Sequence, residues 1–296
     1  EDVRQFMEDG RTVALGEMMN DPGVLSGADG PHAILAETGK AGRTITGHYA
    51  MADLDRGLNG YIASGVRSCH ESTRPEEALA KMRLGMYAML REGSGWRDLH
   101  EVARAVTEHQ VDSRFALLVT DDAHPQTLRA EGHVDRLLRR AVAEGIDPVS
   151  AVQMVTINCA QCFQMDHDLG SIAPGKCADI VFLDDLEDLR VTRVLIDGDV
   201  VAEDGRALFD LPPFQFPDWV THSMHLGREL TPASFEVPAP EGVADGTVCV
   251  RAIEIIPAKV GTFEAHVEHA RMAARCFKLY QQLEVWSGHR GFDLLA

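Results

Sequence analysis

Short apolar runs separated by stretches of helical spacing organise the first part of the chain. Val13-Ala14-Leu15, Arg43-Thr44-Ile45-Thr46, Gly65-Val66-Arg67-Ser68, residues 86–90 and Phe115-Ala116-Leu117-Leu118-Val119 each have strand length, and each ends at glycine or polar residues. Between them, residues 75–84 predict a helix, with Thr73 as its cap and Glu76 as the acidic partner in its first turn. Residues 96–108 carry Leu99, Val102, Ala103 and Val106 at helical spacing. Two further helices are predicted over 133–144 and 148–163. Strands that alternate with helices pair in parallel through crossover connections, so the predicted class is α/β. The apolar runs before residue 125 are too few for a complete eight-stranded barrel, which needs roughly 250 residues.

The pattern changes near Asp168. Residues 169–184 predict a turn followed by a strand, and 191–202 a hairpin closed by Asp197-Gly198, the sequence that a tight two-residue turn favours. The segment 211–247 is proline-rich and polar, as a connector would be. It is followed by a strand over 248–256 and a helical pattern over 272–283. The expected division is therefore 1–165 for the α/β part, 166–210 for a small β domain and 211–296 for a linker leading into a further domain.

Charge narrows the partners. The 296 residues carry a net charge of −18, which repels phosphate backbones and argues against nucleic acid. No apolar stretch reaches the roughly 18 residues of a membrane span, so no membrane association is expected. Six scattered cysteines in a chain of this size suit a reducing, cytoplasmic setting better than a disulfide framework. Cys159-x-x-Cys162 has no partner pair for a zinc site, and His266-Val-Glu268 lacks the downstream Pro-Cys-x-x-Cys of the zinc nucleobase deaminases.

The chemistry lies in the strand ends. Glu17, His48, His70 and Asp121 each follow one of the apolar runs, and parallel barrels carry their reactive groups at the C-terminal ends of strands. Taken singly, each has a plain reading: a turn or core histidine, a capping turn at Thr120-Asp121-Asp122, a solvated glutamate. Taken together, on separate strands of one βα series, they form a constellation. Imidazole with carboxylate suits zinc, iron or manganese.

Residues 15–20 (LGEMMN), Gly47-His48, 58–73 (LNGYIASGVRSCHEST), 83–94 (RLGMYAMLREGS), 118–125 (LVTDDAHP), 131–135 (EGHVD) and 169–186 (LGSIAPGKCADIVFLDDL) closely resemble the bacterial adenine deaminases, a group of the amidohydrolase superfamily. The resemblance covers about residues 10–262. It implies strands four to eight of an incomplete (β/α)8 TIM-type barrel beside a small β-sheet domain. The family's His-x-His pair would lie on a strand before Glu1, because the chain contains no such pair, and 211–296 would begin a C-terminal adenine deaminase domain.

The resemblance also implies hydrolysis of adenine to hypoxanthine and ammonia, in purine salvage, by a hydroxide activated between two divalent metal ions. Mn2+ or Fe2+ is expected, with Zn2+ as an alternative. Glu17 would bridge the ions, and His48 and His70 would bind the second. Asp121 would bind the first and accept a proton from the hydroxide. Glu71 would protonate the ring nitrogen or else support His70. Asp122 and His124 are substrate-binding candidates. The expected partner is the small molecule adenine, with homo-oligomer formation possible. The competing readings are an amidohydrolase that opens a cyclic amide, and an inactive fragment.

Overall fold

The computed structural model describes residues 2–237 apart from Gln110 and Glu187, together with the backbone at 247–255, 262–271 and 277–278. Two compact units result, Glu1–Asp210 and Leu211–Ala296.

The first unit is built on a five-stranded sheet: β1 (Ala14–Met18), β2 (Thr44–Gly47), β3 (Ser68–Cys69), β4 (Tyr87–Arg91) and β5 (Ala116–Val119). All neighbours are parallel and the spatial order is the chain order. All five C-terminal ends therefore share one edge. β1 runs further than its apolar run suggests, so Glu17 lies inside the strand rather than after it, at an irregularity in register between Leu15 and Met18.

β4 is buried along its whole length, as a central parallel strand should be. Alternation splits it between two cores. Ala88 and Leu90 join the large cluster with Leu79 and Met82 of helix Pro75–Arg83, Leu99, Val102, Leu137 and Met154. Tyr87 and Met89 face the other way, onto Leu117 and Cys162. A third cluster packs β1 to β3 against the helices Asp21–Leu25, Asp29–Lys40 and Arg56–Ala63, with Tyr49, Leu58 and Tyr61 fully enclosed.

Three helices differ from expectation. The helix at 75 is capped one residue later than predicted, at Arg74, and its capping carboxylate is Glu77 rather than Glu76. Glu77 Oε2 accepts the backbone N–H of Thr73 at 2.8 Å and of Arg74 at 3.2 Å. Pro75 causes the shift: it favours the first helical position and holds Arg74 extended (φ −129, ψ 150). The stretch 96–108 is helical only over Leu99–Val102 and Arg104–Thr107. Residues before Leu99 fold back instead, with Gly93 N–H donating to Trp96 O at 2.8 Å and Glu92 bridging to Arg97. The stretch 148–163 is interrupted at Thr156 between Pro148–Val155 and Ile157–Cys162, where the Thr156 hydroxyl donates to Val152 O at 2.7 Å. The helix predicted over 133–144 forms as Val134–Ala143.

A separate antiparallel sheet follows, in the order β6 (Ile180–Leu183), β7 (Val191–Ile196), β8 (Asp199–Glu203) and β9 (Arg206–Ala207). The predicted Asp197-Gly198 turn joins β7 to β8 with both residues at positive φ (51 and 88), as a primed turn requires. Leu189, in the β6–β7 connection, is fully buried in the large cluster.

In the second unit, Thr247–Ile255 pairs antiparallel with Thr262–Arg271, and Glu236–Val237 pairs with Phe277–Lys278. The strand expected over 248–256 is thus present. Of the helix expected over 272–283, residues 277–278 are a strand and the rest lies outside the described residues. Among the described residues no helix is long and apolar enough to cross a membrane.

Candidate metal centre

The shared edge of the parallel sheet brings the four strand-end residues together. Glu17 comes from β1, His48 follows β2, His70 follows β3, and Asp121 stands two residues past β5 with φ 57, a left-handed backbone that aspartate tolerates. Glu17, His48 and His70 each offer a ligand atom within 4.8 Å of the others, and His70, Glu71 and Asp121 form a second such trio. His70 belongs to both.

Glu17 sits between the two imidazoles: Oε1 is 3.5 Å from His48 Nδ1, and Oε2 is 3.4 Å from His70 Nδ1. The rings stand edge to face, with centroids 5.2 Å apart. His48 Nδ1 is buried and has no hydrogen-bond partner. A buried ring nitrogen left unpaired beside a carboxylate and a second imidazole is a donor set that fits a divalent cation.

Local chemistry fixes these side chains. Tyr61, buried on helix Arg56–Ala63, accepts the His48 N–H at 3.1 Å on its hydroxyl and donates to Met18 O, tying the ends of β1 and β2 together. Burial pushes its phenol well above the ordinary range, so it stays protonated. Cys69 Sγ accepts the N–H of Tyr49 at 3.1 Å and of Glu71 at 3.4 Å, holding the residues after His48 and His70. Lys81, buried, donates to Tyr49 O at 3.2 Å and Ser72 Oγ at 3.0 Å and braces the same two loops. Asp21 is buried near His48. Burial raises its pKa, against the opposing pull of backbone hydrogen bonds and of His48.

Arg91, at the end of β4, escaped the sequence reasoning. Its Nη1 donates to Glu71 Oε1 at 2.6 Å and to Asp121 Oδ2 at 2.9 Å, and its Nη2 donates to buried Asp98 Oδ2 at 3.1 Å. Trp96 covers the guanidinium, with Cζ 5.1 Å from the ring centroid. One signal was available: Arg91 ends a strand, as the four candidates do. A cation is not a metal ligand, so a search for ligands passes over it.

Asp122 and His124 stand differently. Asp122 Oδ2 accepts the N–H of Ser94 at 3.1 Å and Gly95 at 2.7 Å, which fastens the loop after β4, and Oδ1 is buried without a partner. His124 is exposed and its N–H donates to Ser94 Oγ at 2.8 Å. Cys159 and Cys162 are free thiols pushed up by burial to about 11 and about 12, which leaves them inert near neutral pH.

The profile of the amidohydrolase family matches residues 1–201. The chain is 58% identical over 268 residues to an adenine deaminase of Clostridium botulinum (strain 657 / Type Ba4), a match covering 90% of this chain and 44% of that protein. It is 52% identical over 262 residues to the adenine deaminase of Moorella thermoacetica, again covering 44% of the relative. The chain thus spans less than half the length of these curated relatives. In fold it is similar to the β-aspartyl dipeptidase of Fervidobacterium islandicum AW-1, with a TM-score of 0.55 at 15% identity over 71% of this chain and 62% of that one.

Proposed function

The chain belongs to the amidohydrolase family, and from that membership we propose that it is part of an enzyme that hydrolyses adenine to hypoxanthine and ammonia. The observation that carries the reading is a coincidence of two facts. The chain shares 58% identity over 268 residues with a curated adenine deaminase, and the family match over residues 1–201 contains the residues whose ligand atoms converge at one edge of the sheet.

Glu17, His48, His70 and Asp121 are the residues that would hold two divalent cations, Mn2+ or Fe2+ by preference and Zn2+ as an alternative. Bound there, such cations supply Lewis acidity and make water a nucleophile near neutral pH. The reaction forms a C6–O bond and breaks the C6–N6 bond. Asp121 takes a proton from the attacking water. Asp121 returns that proton to the departing amino group, which leaves as ammonia, while Glu71, enclosed beside His70, relays the second proton of the water to the ring nitrogen. Asp122 and His124 line the substrate side, where Asp122 Oδ1 is an unpaired buried acceptor suited to an amino group.

In the same reading, β1 to β5 are strands four to eight of a (β/α)8 barrel occupying residues 1–165. Residues 166–210 are a small β domain, and 211–296 are a linker and the start of a C-terminal domain. The enzyme serves purine salvage in the cytoplasm and acts on a small molecule.

The test uses the purified protein with Mn2+. Ammonia release from adenine is expected, with no ring opening of hydantoin or dihydroorotate. Ring opening without deamination overturns the substrate assignment. Protein that retains no metal and releases no ammonia is an inactive fragment.

A further inference from the structure

The oxygen of Glu71 nearest the two histidines is the oxygen that Arg91 holds. Glu71 Oε1 lies 3.3 Å from His70 Nε2 and 3.8 Å from His48 Nδ1, within the reach of a shared cation, and 2.6 Å from Arg91 Nη1. The same nitrogen donates to Asp121 Oδ2. By position alone, Glu71 is as well placed to bind a metal as Asp121 is, and it belongs to one of the two ligand trios. A purely architectural arginine here would be an expensive choice, since a fully buried guanidinium loses its hydration and has to recover it from carboxylates. Two of the three carboxylates it uses belong to the centre.

We propose that Arg91 is a positioning residue that keeps Glu71 off the metal and so reserves it for proton transfer, an inference that rests on the metal-centre reading above. The argument is electrostatic and geometric. A carboxylate oxygen already bonded at 2.6 Å to a guanidinium has surrendered lone-pair density and charge, and it competes poorly for a cation. Asp121 Oδ2 shares the same Arg91 nitrogen at the longer distance of 2.9 Å and is held less closely. Arg91 cannot move away to release Glu71, because Nη2 is anchored on Asp98 and Trp96 closes over the guanidinium. Period-two alternation along β4 puts Arg91 on the face of Tyr87 and Met89, opposite the helix-packed face, which is why a strand residue can reach two loops of the centre.

The sign of the effect separates this role from a structural one. Loss of a merely structural arginine disorders the site and weakens metal binding. Loss of a residue that withholds a ligand and adds a positive charge beside the site tightens it. Mn2+ binding is measured by calorimetry on the purified chain and on Arg91→Met, Glu71→Gln and the double variant. Arg91→Met is expected to bind Mn2+ more tightly, by about tenfold or more. Glu71→Gln is expected to lower the affinity of the parent by less than about tenfold, through the lost charge alone, and to remove the larger part of the gain in the Arg91→Met background. If the parent binds and Arg91→Met binds equally or more weakly, Arg91 does not withhold Glu71 and the proposal falls alone. Should Arg91→Met fail to fold, Glu71→Gln decides by itself: a loss of less than about tenfold supports the proposal, and a larger loss identifies Glu71 as a ligand and overturns it. If no version binds Mn2+, the metal reading fails, and the proposal with it.

Discussion

Tyr61→Phe removes one oxygen atom and keeps the ring that fills the cluster around β1 to β3. The oxygen serves two backbone groups, the N–H of His48 and the carbonyl of Met18, both at the ends of strands that carry candidate ligands. No cavity larger than the hydroxyl is created, so the cost is that of leaving two enclosed polar groups without a partner, about 1–3 kcal/mol each. Because the two groups share one hydroxyl, their losses are not independent, and about 2–4 kcal/mol is expected for the pair. For a unit of this size that corresponds to a fall in melting temperature of about 4–16 °C. Tyr49→Phe is the matched control: its hydroxyl donates a single bond, to Asp53 O at 2.5 Å, and its removal should cost about 1 kcal/mol. Urea unfolding followed by near-ultraviolet dichroism gives both values. Amide exchange at His48 adds a local readout, since its N–H should lose protection only in Tyr61→Phe. A Tyr61→Phe cost no greater than that of Tyr49→Phe, with His48 still protected, would refute the claim that this hydroxyl ties the two strand ends.

Three further outcomes are expected. In the full-length protein, Asp121→Asn should lower adenine deamination at saturating Mn2+ by about 10²–10⁴-fold, whereas Asp122→Asn, whose carboxylate mainly fastens residues 94–95, should lose stability more than rate; the reverse ranking in steady-state ammonia release would exchange their roles. Gly47→Ala should cost about 1–3 kcal/mol in a denaturation experiment, because a Cβ there would lie 2.4 Å from Val66 Cγ1 and 2.5 Å from Tyr61 Oη. Glu77→Gln should cost about 1 kcal/mol at neutral pH and nothing at low pH. Burial alone would raise the Glu77 pKa, but the hydrogen bonds from Thr73 and Arg74 outweigh it and hold the folded value below the ordinary carboxylate range. The cap's contribution is therefore complete above the unfolded pKa and is lost as pH falls through the folded one, so the parent and variant melting curves should converge on acidification.

Much of the architecture was legible because it depends on short-range patterns. The five apolar runs mark the five parallel strands, and Asp197-Gly198 marks its turn because few other residues tolerate two successive positive φ angles. The convergence of Glu17, His48 and His70 was legible for a topological reason: parallel strands bring their C-terminal ends to one edge whatever their sequence separation. Details governed by tertiary contact were not. Leu99, Val102 and Val106 have helical spacing, but nothing in that spacing shows that Asp98 bonds to Arg91 or that Trp96 stacks on it, and these contacts coincide with the non-helical start of the segment. The cap falls at Arg74 and Glu77, one position after the threonine-based pattern, because Pro75 constrains its preceding neighbour more strongly than Thr73 attracts the cap. Arg91 itself was hidden by category, as a cation within a set of ligands.

The order of strands also has a consequence in time. Glu17, His48 and His70 come from three consecutive strands that are neighbours in space as well as in sequence, whereas Arg91 and Asp121 come from β4 and β5. During synthesis on the ribosome, the first trio emerges as one continuous stretch and needs only local pairings to assemble. Glu71 emerges with it, about twenty residues ahead of Arg91. There is then an interval in which a nascent chain displays two imidazoles and two carboxylates with no guanidinium to restrain the second carboxylate. Metal offered while the chain is being made would therefore meet a different set of carboxylate restraints from metal offered afterwards.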